Sequence, residues 1–164
     1  MQDTSAQVWE ILATVCDPEV PVLTVLDLGI VRDVKISDGA ALEIVITPTY
    51  SGCPAMNTIE VNIRAALQDA GFEQVAVTTI FSPAWTTDWL TESGKEKLKA
   101  YGIAPPVGRA SEDKNVLFGE EKNIACPQCN STNSRLLSQF GSTACKSLYQ
   151  CQDCREPFDY FKCH

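Results

Sequence analysis

The chain has 164 residues, of which 45% are hydrophobic, and its formal net charge is −8. A chain of this length can bury one substantial core and carry one small further module. With an isoelectric point near 4.6, it lacks the basic face that displaces counterions from phosphates, so the composition argues against DNA or RNA binding.

The first hundred residues predict alternating helices and strands. Apolar residues recur at helical spacing in three stretches, and the turn Ser37-Asp38-Gly39 joins two short strand-like runs as a hairpin. Thr4 is expected to begin the first helix through a capping box with Gln7, and Gly71 to end the second. This αββαβα order indicates an α+β fold, a small mixed sheet with covering helices. In chain order we predict a helix 4–15, strands 30–36 and 42–47, a helix 56–70, a strand 75–81 and a helix 88–101.

Cys53 is the candidate reactive residue of this region. The segment Thr47-Pro-Thr-Tyr-Ser-Gly-Cys-Pro54 ends a strand in a tight loop and puts Cys53 near the N-cap of the second helix, with Pro54 at N1. Unsatisfied backbone N–H groups and the positive end of the helix dipole favour a thiolate there. A small capping or packing residue fits the local pattern equally well, so both interpretations stay open.

The sequence gives Cys53 no obvious catalytic partner. The single histidine, His164, is the last residue, and this region has no redox C-x-x-C pair, so neither Cys–His nor thioredoxin-like chemistry is supported. Metal binding suits a lone thiolate better, and an iron–sulfur cluster, which usually takes four thiolates, would be shared with other groups or another protein. Asp17 and Glu19 could add oxygen ligands, although a solvated loop that ends a helix explains them more simply.

Residues 105–122 carry two prolines, two glycines and many charges, which is typical of a linker. They separate a predicted domain 1–104 from a module 123–164. The acidic excess lies before the module: residues 1–121 hold 18 acidic and 8 basic side chains, a net of −10. No signal peptide or stretch of transmembrane length is present, so we expect a cytoplasmic protein whose cysteines are reduced.

The C-terminal module contains six of the eight cysteines. The pairs Cys126-Pro-Gln-Cys129 and Cys151-Gln-Asp-Cys154 have the spacing of a structural zinc ribbon, in which four thiolates close a tetrahedral site. A module this small needs a metal in order to fold. The module has three further candidate ligands: Cys145, Cys163 and His164. Three roles stay open for them, as spare thiols, as a second transient metal site or as substitutes for a ribbon ligand.

Several segments carry a family resemblance. Asp17-Pro-Glu-Val-Pro21 with Asp27-Leu-Gly-Ile-Val-Arg32, then Thr47–Pro54, then Ser82-Pro-Ala-Trp-Thr-Thr-Asp-Trp-Leu90 resemble the iron–sulfur assembly factor family that includes SufT. Segments 138–149 and 156–164 resemble the PaaD family, the D components encoded with bacterial phenylacetyl-CoA epoxidase. The resemblance covers nearly the whole chain.

The resemblance implies an accessory factor of aerobic phenylacetate degradation and not an enzyme. In that system a di-iron oxygenase epoxidises phenylacetyl-CoA, and a reductase with flavin and a [2Fe-2S] centre supplies electrons. The D component is thought to help install a metal centre, with the reductase cluster as the leading candidate. The alternative is a non-catalytic structural subunit. Expected partners are the reductase and oxygenase components, with a homodimer left open and neither membrane nor nucleic acid expected.

The resemblance also implies site residues. The reactive cysteine of the family maps onto Cys53, and Asp17, Glu19 and Thr47 match positions that line the same pocket. A transient iron or iron–sulfur cluster is therefore expected there, besides structural zinc in the ribbon. Trp85 and Trp89 fit an aromatic loop and are expected to anchor it, whereas Cys16 belongs to no motif and is expected to be a buried small residue.

Overall fold

The computed structural model describes residues 3–39, 41–50, 52–108 and 123–162. The chain divides into two compact units, residues 1–85 and 86–164. The predicted domains 1–104 and 123–164 and their linker stay predictions, and residues 109–122 lie outside the described ranges. The first unit contains α1 (Thr4–Leu12), β1 (Val31–Ile36), β2 (Leu42–Ile46), α2 (Ala55–Asp69) and β3 (Val75–Thr79). The second contains a 3₁₀ helix (Thr87–Trp89), α3 (Glu92–Ala100), β4 (Ile103–Ala104), β5 (Ser134–Ser138), β6 (Lys146–Cys151) and β7 (Pro157–Phe161).

The first unit is built on a three-stranded mixed sheet of order β1-β2-β3. β1 and β2 form the predicted antiparallel hairpin, whereas β2 and β3 are parallel. Alternate residues of β2 point to one face, where they are buried with the apolar stripes of α1 and α2. The predicted α+β class with a small mixed sheet is confirmed. The main members of this core are Val8, Leu12, Leu42, Ile44, Ile46, Ile59, Ile63 and Leu67.

Helix boundaries differ from the sequence prediction at several points, and α1 ends at Leu12 and not at residue 15. Asp3, and not Thr4, caps α1, because its carboxylate accepts a hydrogen bond from the N–H of Ser5 at 3.1 Å. The predicted helix 88–101 is two helices, since Leu90 is extended and the hydroxyl of Thr91 accepts from the N–H of Gly94 at 2.9 Å to begin α3. In both cases a short polar side chain beside the expected start captures the free N–H groups of the first turn.

The second unit contains a four-stranded sheet of order β4-β7-β6-β5. β5, β6 and β7 form an antiparallel meander, and the two-residue β4 joins it parallel to β7. On the buried face Tyr149 stacks on Phe158 at 5.9 Å between ring centroids and meets Tyr160 edge-on at 5.7 Å. This core packs β6 against β7, and the second cysteine pair lies where β6 ends and the turn to β7 begins. No helix in the described ranges is long and apolar enough to cross a membrane.

Candidate functional site

The structure brings the four predicted ribbon cysteines together. The sulfur atoms of Cys126, Cys129, Cys151 and Cys154 all lie within 4.8 Å of one another. The Sγ atoms of Cys126 and Cys154 are 3.7 Å apart, and those of Cys129 and Cys151 are 3.6 Å apart. A tetrahedral zinc with Zn–S bonds of about 2.3 Å places its sulfurs about 3.8 Å apart. The cluster therefore fits a closed four-thiolate zinc site.

The electrostatics of this cluster also favour a cation. Backbone N–H groups of Cys154 and Asp153 donate to the Cys151 sulfur and lower the pKa of that thiol to about 7. The N–H of Glu156 favours the Cys154 thiolate in the same way, but desolvation and the three neighbouring sulfurs outweigh it and raise the pKa of Cys154 to about 12. Four thiolates at these distances would repel one another, and a bound metal ion would compensate that repulsion.

Asp153 connects the two cysteine pairs. Its carboxylate accepts a hydrogen bond from the hydroxyl of Ser131 and one from the side-chain amide of Asn133 at 2.9 Å. These bonds lower the pKa of Asp153, with that from Ser131 as the larger cause. Sequence reasoning missed this contact, because Asp153 lies inside its own C-x-x-C loop and meets its partners only once the ribbon has folded.

Of the other metal-ligand candidates in the module, the structure describes only Cys145. Cys145 is buried, 6% exposed, and its sulfur lies 3.0 Å from the hydroxyl oxygen of Thr143. It is not a member of the four-sulfur cluster. Cys163 and His164 fall outside the described residues, so their suggested roles stay predictions.

Cys53 lies in the loop that connects β2 to α2. The structure corrects its predicted position by one residue: Pro54 is the N-cap of α2, without a side-chain hydrogen bond to the first turn, and Cys53 precedes it. The thiol is half-buried. The N–H of Cys53 donates to the carbonyl of Tyr50 at 3.3 Å, and Gly52 makes the turn with a φ of +83° that favours glycine.

Thr47 begins the same loop and lines a cleft of about 200 Å³. Its side chain is 1% exposed, and its hydroxyl has no hydrogen-bond partner among the residues described. Cys53, Asp17 and Glu19 are not among the described residues of the cleft wall. The shared pocket that the resemblance implies therefore stays a prediction for these three residues. The wall consists of Thr47, Pro48, Thr49, Tyr50, Phe81, Ala84 and Trp85.

Asp17 has a clear structural part in the loop after α1. One oxygen of its buried carboxylate accepts from the N–H groups of Glu19 and Val20, at 2.7 and 2.8 Å. The side chain of Glu19 is half-buried beside this turn. Cys16, expected to be buried, is exposed; that prediction was wrong, because the residue faces outward from the turn while its neighbours Val15 and Asp17 fill the interior.

The two tryptophans of the aromatic loop fall in different units. Trp85 is 4% exposed, and its ring N–H donates to the carbonyl of Leu28 at 2.7 Å. This contact fixes the loop after β3 to the first unit, which is the anchoring expected of it. Trp89 ends the 3₁₀ helix of the second unit and is half-buried.

Comparison with known proteins adds family information to this geometry. Residues 5–79 match an iron–sulfur cluster assembly protein family, and residues 110–162 match the PaaD zinc beta ribbon domain. The chain is 48% identical to an Escherichia coli protein whose name describes a putative 1,2-phenylacetyl-CoA epoxidase subunit, the D component, over 96% of this chain and 92% of that protein. It is 30% identical to an Fe-S protein maturation auxiliary factor of Porphyromonas gingivalis, over 58% of this chain and 90% of the relative.

Two solved structures share the fold of more than half of this chain. A domain of unknown function from Bacillus anthracis has a TM-score of 0.53 and 24% identity, covering 57% of this chain and 89% of its own. A conserved hypothetical protein from Thermotoga maritima has a TM-score of 0.51 and 30% identity, covering 58% and 94%. The near full-length similarity and the two domain matches agree on one assignment. The chain belongs to the PaaD family, and in it a region that matches iron–sulfur cluster assembly proteins precedes a region that matches the PaaD zinc beta ribbon domain.

Proposed function

We propose that this protein is an accessory factor that helps assemble an iron–sulfur cluster or deliver it to the reductase component of a phenylacetyl-CoA epoxidase. The observation that carries the proposal is the near full-length similarity to a relative named as the D component of that epoxidase, joined to a first domain of the iron–sulfur assembly type. Relatives named Fe-S protein maturation auxiliary factors support the same role. The protein would itself make no bond in the aromatic substrate.

Cys53 would bind iron or a nascent cluster as cargo. Its half-buried thiol precedes α2, whose first N–H groups have no side-chain cap, and such groups stabilise negative charge on a nearby sulfur. The hydroxyl of Thr47, at the other end of the loop, has no partner among the described residues, and its hydrogen would be donated to the cargo. Asp17 and Glu19 are proposed as oxygen ligands, through oxygens other than the one that closes their turn.

Delivery would be a ligand exchange without electron transfer. A client cysteine loses its proton as its sulfur bonds to iron, and Cys53 gains a proton as its own iron–sulfur bond breaks. A single protein thiolate suits such a carrier, because clusters with four protein thiolates are held firmly. The client then keeps the cluster by supplying more ligands than the carrier.

The ribbon would be structural. Cys126, Cys129, Cys151 and Cys154 are proposed to hold one zinc ion, and four thiolates leave no open coordination position for chemistry. Recognition of the reductase or oxygenase component is the function left for the module. A site at Cys145, Cys163 or His164 is not needed for this role.

A transfer experiment tests the proposal. Purified apo-reductase is mixed anaerobically with the cluster-loaded protein, and reductase activity and its visible absorption are followed. Cys53→Ala is expected to abolish delivery, whereas Cys16→Ala, which removes an exposed thiol, leaves it intact. Equal delivery by Cys53→Ala and the unaltered protein would reject the proposal.

The second candidate is a non-catalytic subunit that stabilises the oxygenase by contact alone. The word "subunit" in the name of the E. coli relative favours it. In that case the protein co-purifies with the oxygenase in fixed stoichiometry, and Cys53→Ala changes neither the complex nor its activity.

A further inference from the structure

The outer edge of β3 presents backbone groups that pair with none of the residues the structure describes. The carbonyl of Gln74 accepts from the N–H of Leu42 at 2.8 Å, and the N–H of Ile80 donates to Ile46, also at 2.8 Å. In a parallel ladder, every second residue of a strand directs its backbone N–H and C=O groups to the same neighbouring strand. The even-numbered residues from 74 to 80 therefore direct these groups to β2. The odd-numbered residues direct three N–H and three C=O groups away from it, and no described residue bonds them. These residues are Val75, Val77 and Thr79.

The opposite edge of the same sheet is protected. The carboxylate of Asp33 accepts a hydrogen bond from the N–H of Val34 at 2.9 Å. β1 also carries Arg32 and Lys35 and has a register shift between Val31 and Asp33. Charged side chains and bulges are the usual means of keeping foreign strands off a sheet edge. β3, with the sequence Val-Ala-Val-Thr-Thr and regular pairing, has none of these.

The unprotected edge runs into the candidate site. β2 and β3 are parallel, so both end at the same side of the sheet. Thr47 follows the last residue of β2, and Phe81, 64% exposed, lies two residues beyond β3; both line the same cleft. A strand laid along β3 is therefore led to the loop that carries Cys53.

We propose that the β3 edge binds an extended segment of the client protein by strand addition, and so brings the receiving cysteines to the Cys53 loop. This inference rests on the proposed function and adds a client contact on the first unit to the recognition proposed for the ribbon. The segment would be rich in β-branched residues and would carry no net negative charge. A second copy of the chain is disfavoured as the occupant, because two bodies of net charge −8 repel each other.

Val77→Pro tests the edge itself. The N–H of Val77 points away from β2, so proline removes an outward donor and none of the ladder bonds. The matched control is Ile36→Pro on β1. The N–H of Ser37 donates to the carbonyl of Ala41 at 2.9 Å, so these two residues form a hydrogen-bonded pair. Because bonded and non-bonded pairs alternate in an antiparallel ladder, Ile36 and Leu42 form a non-bonded pair, and the N–H of Ile36 points away from β2.

The measurements are the dissociation constant for apo-reductase and amide hydrogen exchange. Val77→Pro is expected to weaken binding by about tenfold or more, whereas Ile36→Pro leaves it unchanged, with circular dichroism confirming that both variants fold. In the unaltered protein, apo-reductase should slow exchange at Val75, Val77 and Thr79. Unslowed exchange there overturns the inference even if a proline variant does not fold.

Two further outcomes separate this inference from the proposed function. If Cys53→Ala loses delivery while Val77→Pro binds and delivers normally, strand addition is wrong and the carrier role stands. If Val77→Pro loses binding while Cys53→Ala still delivers, the docking edge is supported and the role of Cys53 fails. Protection of the β3 amides that rises with protein concentration, without reductase, assigns the edge to a second copy and overturns the inference.

Discussion

Thr47 and Thr87 each bury a hydroxyl group that has no partner among the described residues. A buried polar group without a partner costs about 1–3 kcal/mol. At Thr47 the hydroxyl lies beside a cleft on the Cys53 loop, where a bound ligand would supply the partner. Thr87, in the second unit, has no such neighbour in the proposed scheme.

Thr47→Val is expected to stabilise the fold and impair delivery. Removing the unpaired hydroxyl should raise the free energy of unfolding by about 1 kcal/mol, and loss of its hydrogen should slow cluster transfer. Denaturant unfolding and the transfer assay measure the two effects. Thr87→Val is the matched control, with a similar gain in stability and unchanged transfer. Normal transfer by Thr47→Val would remove this hydroxyl from the mechanism.

Asp153→Asn is expected to weaken zinc binding without removing a ligand. Loss of contacts that orient the ligands typically lowers metal affinity by about 10- to 100-fold, and a zinc-chelator competition assay measures it. Because hydrogen bonds lower the pKa of Asp153 below its ordinary 3.8, its contribution is complete above that pH. That contribution is lost only as the pH falls through the lowered pKa that Asp153 has in the folded state. Unchanged zinc affinity at pH 7 would contradict this role.

Residue-level prediction succeeded where chemistry is local. The C-x-x-C spacing identified the four sulfurs that the structure gathers, and the proline after Cys53 located the start of α2 within one residue. The contacts of Asp153 were not predictable this way, since Ser131 and Asn133 are distant from it in sequence. The buried hydroxyl of Thr47, which has no partner among the described residues, was not predictable either, since burial depends on the folded neighbours.

At the scale of elements, periodic patterns predicted most of the fold. The apolar stripe of α2 gave a helix at 56–70, and the structure has it at Ala55–Asp69. β4 was missed, because a two-residue strand has no periodicity and its partner β7 lies some fifty residues later. The helix starts were displaced because neighbouring Asp and Thr side chains compete for the same free N–H groups.

Metal removal should act on the ribbon alone. Zinc in small modules contributes about 10–16 kcal/mol of apparent folding free energy, whereas the first unit has an apolar core of its own. A strong chelator is therefore expected to remove amide protection from β5, β6 and β7 while β2 and α2 stay protected, as hydrogen exchange would show. Loss of protection in both units together would contradict separate folding.

At the scale of the whole molecule, two kinds of cysteine have different proposed tasks. Four thiols of the second unit form a closed cluster, and one half-buried thiol of the first unit precedes a helix. The sequence predicted this division from spacing and from family resemblance. It did not predict the unprotected β3 edge, because which edge of a sheet stays open is known only once strand order is known.

The central claim is that Cys53 binds transferable iron while the ribbon keeps its zinc. Anaerobic purification of the unaltered protein and of Cys53→Ala, followed by metal and acid-labile sulfide analysis, tests it most directly. We expect about one zinc per chain in both proteins, with iron and sulfide present in the unaltered protein and lost from the variant. Equal iron and sulfide in the two proteins would contradict the claim.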